Sequence, residues 1–326
     1  MKGPVAGKTV RFYPLLPKQK SFLDETLEGL SGAQKQIPAK FFYDAHGCEL
    51  FDAICGLPEY YLTRVETAMM RECASEMAQC LEPARLLIEY GSGASRKTRL
   101  LLDHLRPPAY MPIDIAGEQL RASARALAEA YPKMQVLAVC ADYSQAVQLP
   151  VREAKGIGRI AIYFPGSTIG NFTMEETVAF LQQSRELAGP RGAMLVGVDL
   201  KKSKKILHAA YNDAQGVTAK FNLNMLTRIN RELGADFNVN HFRHLAFYNE
   251  QAGRIEMHLE SRVAQQVKIG DRCFVFRAGE TIHTENSYKY SVEEFQGLAR
   301  KAGFAPQRTW TDAQKFFAVH YLHAGG

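Results

Sequence analysis

No two cysteines in this chain are spaced as a CxxC pair, although six are present: Cys48, Cys55, Cys73, Cys80, Cys140 and Cys273. Their scatter fits buried, reduced thiols better than a disulfide framework. No apolar run is long enough for a signal-peptide core or a membrane span, and the N-terminus reads MKGPVAGKTVRFYPLLP. A membrane partner is therefore not expected, and the cytoplasm is the expected compartment. Excess positive charge is small, a net +6 over 326 residues. The tight basic run Lys201, Lys202, Lys204 and Lys205 reads as the solvated start of a helix, so no nucleic-acid partner is expected. Zinc spacing such as HExxH is missing. His241 and His244 lack a companion ligand set and read as ordinary surface or core histidines, so no metal is expected.

What the chain does have is a rhythm. Residues 1–62 are mixed, with aromatics crowded at Phe41-Phe42-Tyr43 and Tyr60-Tyr61. A helical pattern covers 64–81. Short apolar runs at 86–90, 110–113, 136–140, 160–164 and 193–198 then alternate with helical patterns, among them Leu100, Leu101 and Leu105, and Leu120, Ala124, Leu127 and Tyr131. That alternation predicts a parallel α/β sheet. Thr173 with Glu176, and Ser291 with Glu294, form capping boxes that open two further helices. Between them the rhythm breaks. Residues 201–254 read as helix and Asn-rich loop, and Ile255, Met257 and Leu259 alternate with polar residues as a half-buried strand does. Short strands follow to 284. The chain closes with a helix to 302 and strands at 308–311 and 316–322. An ending of helix, strand, turn and strand resembles the class I methyltransferases, whose last strand enters the sheet antiparallel. The expected architecture is a Rossmann-like methyltransferase sheet over 63–200 plus 289–326. A second α+β substrate domain is expected from 1–62 plus 201–288.

The first strand of that sheet runs into Glu89-Tyr90-Gly91-Ser92-Gly93-Ala94-Ser95. Glycines at a strand's carboxyl end let the backbone approach a nucleoside ligand closely. The third glycine of the dinucleotide fingerprint is replaced by Arg96, which disfavours a pyrophosphate. Asp114 ends the second strand and suits the two ribose hydroxyls. Asp142 and Tyr143 follow the third, where a carboxylate suits an adenine amino group and a ring suits the base. Three acidic positions at three successive strand ends point to S-adenosylmethionine.

Longer motifs go further. Lys40-Phe41-Phe42-Tyr43-Asp44-Ala45-His46-Gly47 is followed by Leu57 to Glu66, by Gly91-Ser92-Gly93 with Lys97-Thr98-Arg99, by Gly166-Ser167-Thr168-Ile169-Gly170-Asn171, and by Ile255-Glu256-Met257. With the run Gly216 to Glu232, these stretches resemble the histidine Nα-methyltransferases of ergothioneine biosynthesis over nearly the whole chain. The resemblance implies S-adenosylmethionine contacts from Gly91, Lys97, Asp114, Asp142 and Tyr143. It implies that Asn171 and Tyr211 hold the carboxylate of free L-histidine, with Tyr43 and Asn171 at the reacting amine. Tyr60, Glu285 and Ser287 would read the imidazole, and Met257 would pack beside it. Asn286 departs from the apolar residue expected between Glu285 and Ser287.

Such a site makes chemical sense, because a carboxylate, an amine and an imidazole need three readers. Glu285 suits an imidazole N–H, and Ser287 suits the other ring nitrogen as donor or acceptor. The family precedent is three methyl transfers, giving hercynine, and a monomer acting on a small molecule is expected. A methyltransferase for another free amino acid or small amine is the alternative.

Overall fold

The computed structural model describes residues 10–15, 22–93, 96–145, 147–154 and 158–325. Ala94 and Ser95 of the glycine-rich turn lie outside them. The N-terminal segment contributes strand β1 (Val10–Pro14), helix α1 (Phe22–Ser31), the short strand β2 (Lys35–Gln36) and helix α2 (Ala45–Cys55). Helix α3 (Tyr61–Leu81) leads into the alternating region: β3 (Ala84–Tyr90), α4 (Arg96–Leu105), β4 (Ala109–Asp114), α5 (Gly117–Ala130), β5 (Gln135–Cys140), β6 (Arg159–Phe164), α6 (Met174–Ala188) and β7 (Ala193–Asp199). The insertion holds α7 (Lys204–Tyr211), α8 (Val217–Leu233), β8 (Phe242–Asn249), β9 (Arg254–Ser261), β10 (Gln265–Ile269), β11 (Arg272–Phe276) and β12 (Thr281–Tyr288). Helix α9 (Val292–Lys301) and strands β13 (Ala305–Thr311) and β14 (Phe317–His323) complete it.

The large sheet runs β1-β5-β4-β3-β6-β7-β14-β13. It is parallel from β1 to β7, while β14 is antiparallel to β7 and to β13. Its strands are apolar almost without interruption because both faces are covered. Leu87, Tyr110, Val136 and Leu195 face α3, α4 and α5, and Ile88, Met111, Leu137 and Met194 face α6 and α9. Both predicted capping boxes form, at Thr173–Glu176 and Ser291–Glu294. This is the class I methyltransferase fold. From β3 the chain winds outward through β4 and β5, then returns to the other side of β3 with β6. Ligands bind at such a switch, beyond the strands' carboxyl ends.

Three features differ from expectation. First, β1 hydrogen-bonds along β5 in the large sheet, so this part of residues 1–62 stands apart from the second sheet. Second, the Asn-rich loop contains a strand, β8. Its polar side chains have local partners: His244 meets Asn222 at 2.9 Å and the Tyr211 carbonyl at 2.9 Å, which hides the apolar alternation. Third, β9 is buried on both faces from Ile255 to Leu259, not on one. It sits inside the second sheet, β2-β12-β9-β8. A third core joins Leu30, Phe42 and Leu62 to Leu207, Phe221, Met225, Met257 and Ile282.

Candidate active site

A cavity of about 980 Å³ opens at the carboxyl ends of β3 to β6 and runs under residues of the N-terminal segment and β12. Gly91, Lys97, Asp114, Asp142 and Tyr143 line one part of it. Gly91 turns the chain with φ 65°, and a Cβ there would stand 3.4 Å from the Tyr143 hydroxyl. A side chain would thus be strained and would close the gap between turn and ring. The Asp114 oxygens accept the Gly93 and Ala116 N–H groups, each at 2.9 Å, and burial raises its pKa. Each oxygen keeps a lone pair for a hydroxyl. Asp142 accepts from Ser144 through Oδ1 and from Lys40 Nζ, 3.2 Å away, through Oδ2. Tyr143 packs in an aromatic group with Tyr90, Phe164 and Phe180. Two carboxylates, an open glycine turn and an aromatic wall fit a nucleoside with a sulfonium tail.

The Glu89 carboxylate accepts from Thr98 Oγ1 at 2.7 Å and from the Tyr110 hydroxyl. It ties α4 and β4 to β3, and burial, against those donors, pushes its pKa up to about 7.

Tyr43, Tyr60, Asn171 and Glu285 line the other part of the cavity. Asn171 closes a single 3₁₀ turn, Thr168–Asn171, entered through Ser167 in the left-handed region at φ 59°. The Ser167 Oγ accepts the Asp199 N–H at 2.8 Å, which holds that conformation. Burial raises the pKa of Tyr43 and of Tyr60 well above the phenol range, so both stay protonated donors. Burial also pushes Glu285 up to about 7, against the pull of Lys289. Asn286 lines the cavity too, and its Oδ1 is buried without a partner.

Tyr211, Met257 and Ser287 are not on the cavity wall. Met257 is buried opposite Glu285 in the β9–β12 register. The Tyr211 hydroxyl donates to Ser287 Oγ at 2.8 Å.

Several residues matter to which the sequence assigned no role in the site, although Lys40 and Glu66 stand in its motifs. Glu66 on α3 is fully buried, pairs with the Lys97 ammonium and accepts the Gly166 N–H at 2.9 Å. Lys40 bridges Glu25 and Asp142, linking the N-terminal segment to the β5 end. Lys202 departs from the expected solvated run. Its ammonium is buried against Asp199 Oδ1 at 2.6 Å and the Tyr61 hydroxyl at 2.7 Å, and burial lowers its pKa to about 8. The signal for all three is spatial, since each pairs with a residue on another element or turn.

His244 is held by Asn222 and Tyr211, and His241 by Asn238, as structural histidines are. Glu256, His258 and His283 do bring ligand-type atoms within 4.8 Å of one another. Arg254 occupies Glu256 Oε1 at 2.8 Å and opposes a cation there, and the two imidazoles stack at 21° rather than converge.

The family model for histidine-specific, S-adenosylmethionine-dependent methyltransferases matches residues 22–324. The histidine N-alpha-methyltransferase of Mycolicibacterium smegmatis is 40% identical over 297 residues, covering 89% of this chain and 91% of that protein. The protein of the same name from Mycobacterium tuberculosis is 40% identical over 301 residues, covering 90% and 92%. Ergothioneine biosynthesis protein 1 of Neurospora crassa is 30% identical over 298 residues, 88% of this chain but 33% of that longer protein.

Proposed function

The chain belongs to the S-adenosylmethionine-dependent family of histidine-specific methyltransferases, and from that premise we propose that it methylates the α-amine of free L-histidine three times, giving hercynine. The observation that carries this reading is one continuous cavity. The carboxylates at the β4 and β5 ends share it with Tyr43, Tyr60, Asn171 and Glu285. No helix among the described residues is long and apolar enough to cross a membrane. A monomer in the cytoplasm is part of this reading, and six cysteines that are all free thiols suit that compartment.

Bound S-adenosylmethionine would supply the methyl group from its sulfonium, with the neutral thioether as leaving group. The protein's part is placement and exclusion of water. Asp114 would hold the ribose and Asp142 the adenine amino group, with Tyr143 against the base and Gly91 and Lys97 along the remainder. On the substrate side, Asn171 would bind the carboxylate, Tyr43 and Asn171 would orient the amine, and Tyr211, whose hydroxyl hydrogen is spent on Ser287, would act from behind the wall. Tyr60, Glu285 and Ser287 would read the imidazole, with Met257 behind. Attack needs a neutral amine, and each transfer leaves one positive charge on nitrogen. The ammonium of the free amino acid must lose a proton before the first transfer, and one further proton must leave before the second and before the third. Tyr43 is held protonated and serves as an orienting hydroxyl. A site built around polar readers rejects analogues that lack the matching groups.

The test is a mass-spectrometric assay of the purified chain with S-adenosylmethionine and the twenty free amino acids. Histidine gaining three methyl groups while the others stay unmodified is the expected result. Methylation of another amino acid instead would overturn the substrate and keep the cofactor site.

A further inference from the structure

Strand β12 and the residue after it carry Glu285, Ser287 and Lys289 at alternate positions, which puts the three side chains on one face. Glu285 is on the cavity wall, and Ser287 lies one pleat beyond it, 4% exposed. Lys289 is buried completely. Its ammonium donates to Ser287 Oγ at 2.8 Å and to Tyr211 Oη at 3.0 Å, and it pairs with Asp199 Oδ2 at 2.8 Å. All three of its N–H bonds are thus engaged. Burial works against its charge, but Asp199 and Tyr211 outweigh burial and raise its pKa. Lys202, on the other oxygen of the same carboxylate, is the member of the pair that loosens its proton.

A serine hydroxyl has one hydrogen and two acceptor positions. At Ser287 Lys289 takes one acceptor position, and the Tyr211 hydroxyl, 2.8 Å away, takes the other. The phenol is the donor in that pair because it is the more acidic hydroxyl. The Ser287 hydrogen is then all that Oγ can offer a ligand. We propose that Lys289 is a positioning residue that makes Ser287 a hydrogen-bond donor, so that the site selects the neutral imidazole with its N–H towards Glu285 and its lone pair towards Ser287. This rests on the reading of Ser287 and Glu285 as the imidazole readers. A carboxylate alone would favour imidazolium. The Ser287 hydrogen opposes a second N–H, and the nearby Lys289 charge offsets part of the Glu285 field.

Nitrogen NMR of ¹⁵N-labelled histidine bound to the whole enzyme with S-adenosylhomocysteine tests this at about pH 7.5, where Glu285, pushed up to about 7, is mostly ionised and would by itself draw a proton onto an imidazole of pKa about 6.5. The expected spectrum shows one protonated and one pyridine-type ring nitrogen. Two protonated nitrogens would overturn the proposal. The companion test compares Ser287→Ala, Lys289→Met and the double variant, with S-adenosylmethionine affinity as the check on folding. Lys289→Met leaves Asp199 paired with Lys202, and Lys289→Leu is the substitute should Lys289→Met not fold. The single changes should each raise the histidine KM about tenfold, as expected for one buried hydrogen bond, with kcat little altered. The double variant should be no worse than Ser287→Ala, because both remove the same interaction. A Lys289→Met penalty that persists unchanged without the serine hydroxyl would reduce Lys289 to a structural role. An unchanged KM in Ser287→Ala would overturn the imidazole reading itself, a failure separable from that of Lys289.

Discussion

Glu66 illustrates how much of the site depends on single buried groups. It is fully buried and holds both the Lys97 ammonium and the Gly166 N–H, two groups on the cavity wall contributed by different elements. Removing one member of a buried pair leaves the other uncompensated, at a cost of about 3–5 kcal/mol when both are fully buried. Lys97 is 19% exposed and so sits towards the lower end. Glu66→Gln should therefore raise the KM for S-adenosylmethionine about tenfold while leaving that for histidine nearly unchanged, as steady-state kinetics will show. Glu285 carries a pH signature. Burial raises its pKa from 4.5 to about 7, so between those values the folded chain keeps a proton that the unfolded chain has lost. Stability therefore falls as pH rises through that window. Glu285→Gln should flatten the decline in Tm across it and should lower kcat/KM for histidine, whose N–H loses its anionic acceptor.

Elements were legible to the degree that both of their faces meet apolar partners. Strands β3 to β7 are buried on both sides and stand out as short runs of Leu, Ile and Val, and the capping boxes mark α6 and α9 by local chemistry alone. Strand β8 is half-exposed and polar, and β1 is held in place by β5, more than a hundred residues away. Neither carries a local pattern that separates it from loop. The Thr173 cap opens α6 two residues after Asn171, and both Thr173 and Glu176 line the cavity. Its hydroxyl accepts the Glu176 N–H at 3.2 Å while Glu176 returns a bond at 2.8 Å. Thr173→Ala should cost about 1 kcal/mol, read as a lower denaturant midpoint with an unchanged slope.

At the scale of the whole molecule, the cofactor cavity joins the large sheet to the N-terminal segment, most directly where Lys40 reaches Asp142. Ligand that binds only the folded chain should stabilise all of it together. At a hundredfold excess over Kd, S-adenosylmethionine should add about 2.7 kcal/mol, seen as an upward shift of several degrees in Tm. Asp114→Ala should abolish most of that shift while changing the ligand-free Tm far less. The sequence by itself determined the sheet region, its acidic strand ends, the glycine turn and, through its long motifs, the family. Each of these is a local run of residues whose types and spacing carry the information. It left open whether Ser287 gives or accepts a hydrogen bond, and it made Lys202 a surface residue. Only the tertiary structure puts Lys202 in a buried pair and sets the Lys289 ammonium against Ser287 Oγ. Lys289 and Lys202 take their meaning from Asp199, a carboxylate ninety residues away from the first and three from the second, and burial around all three makes their hydrogen bonds obligatory.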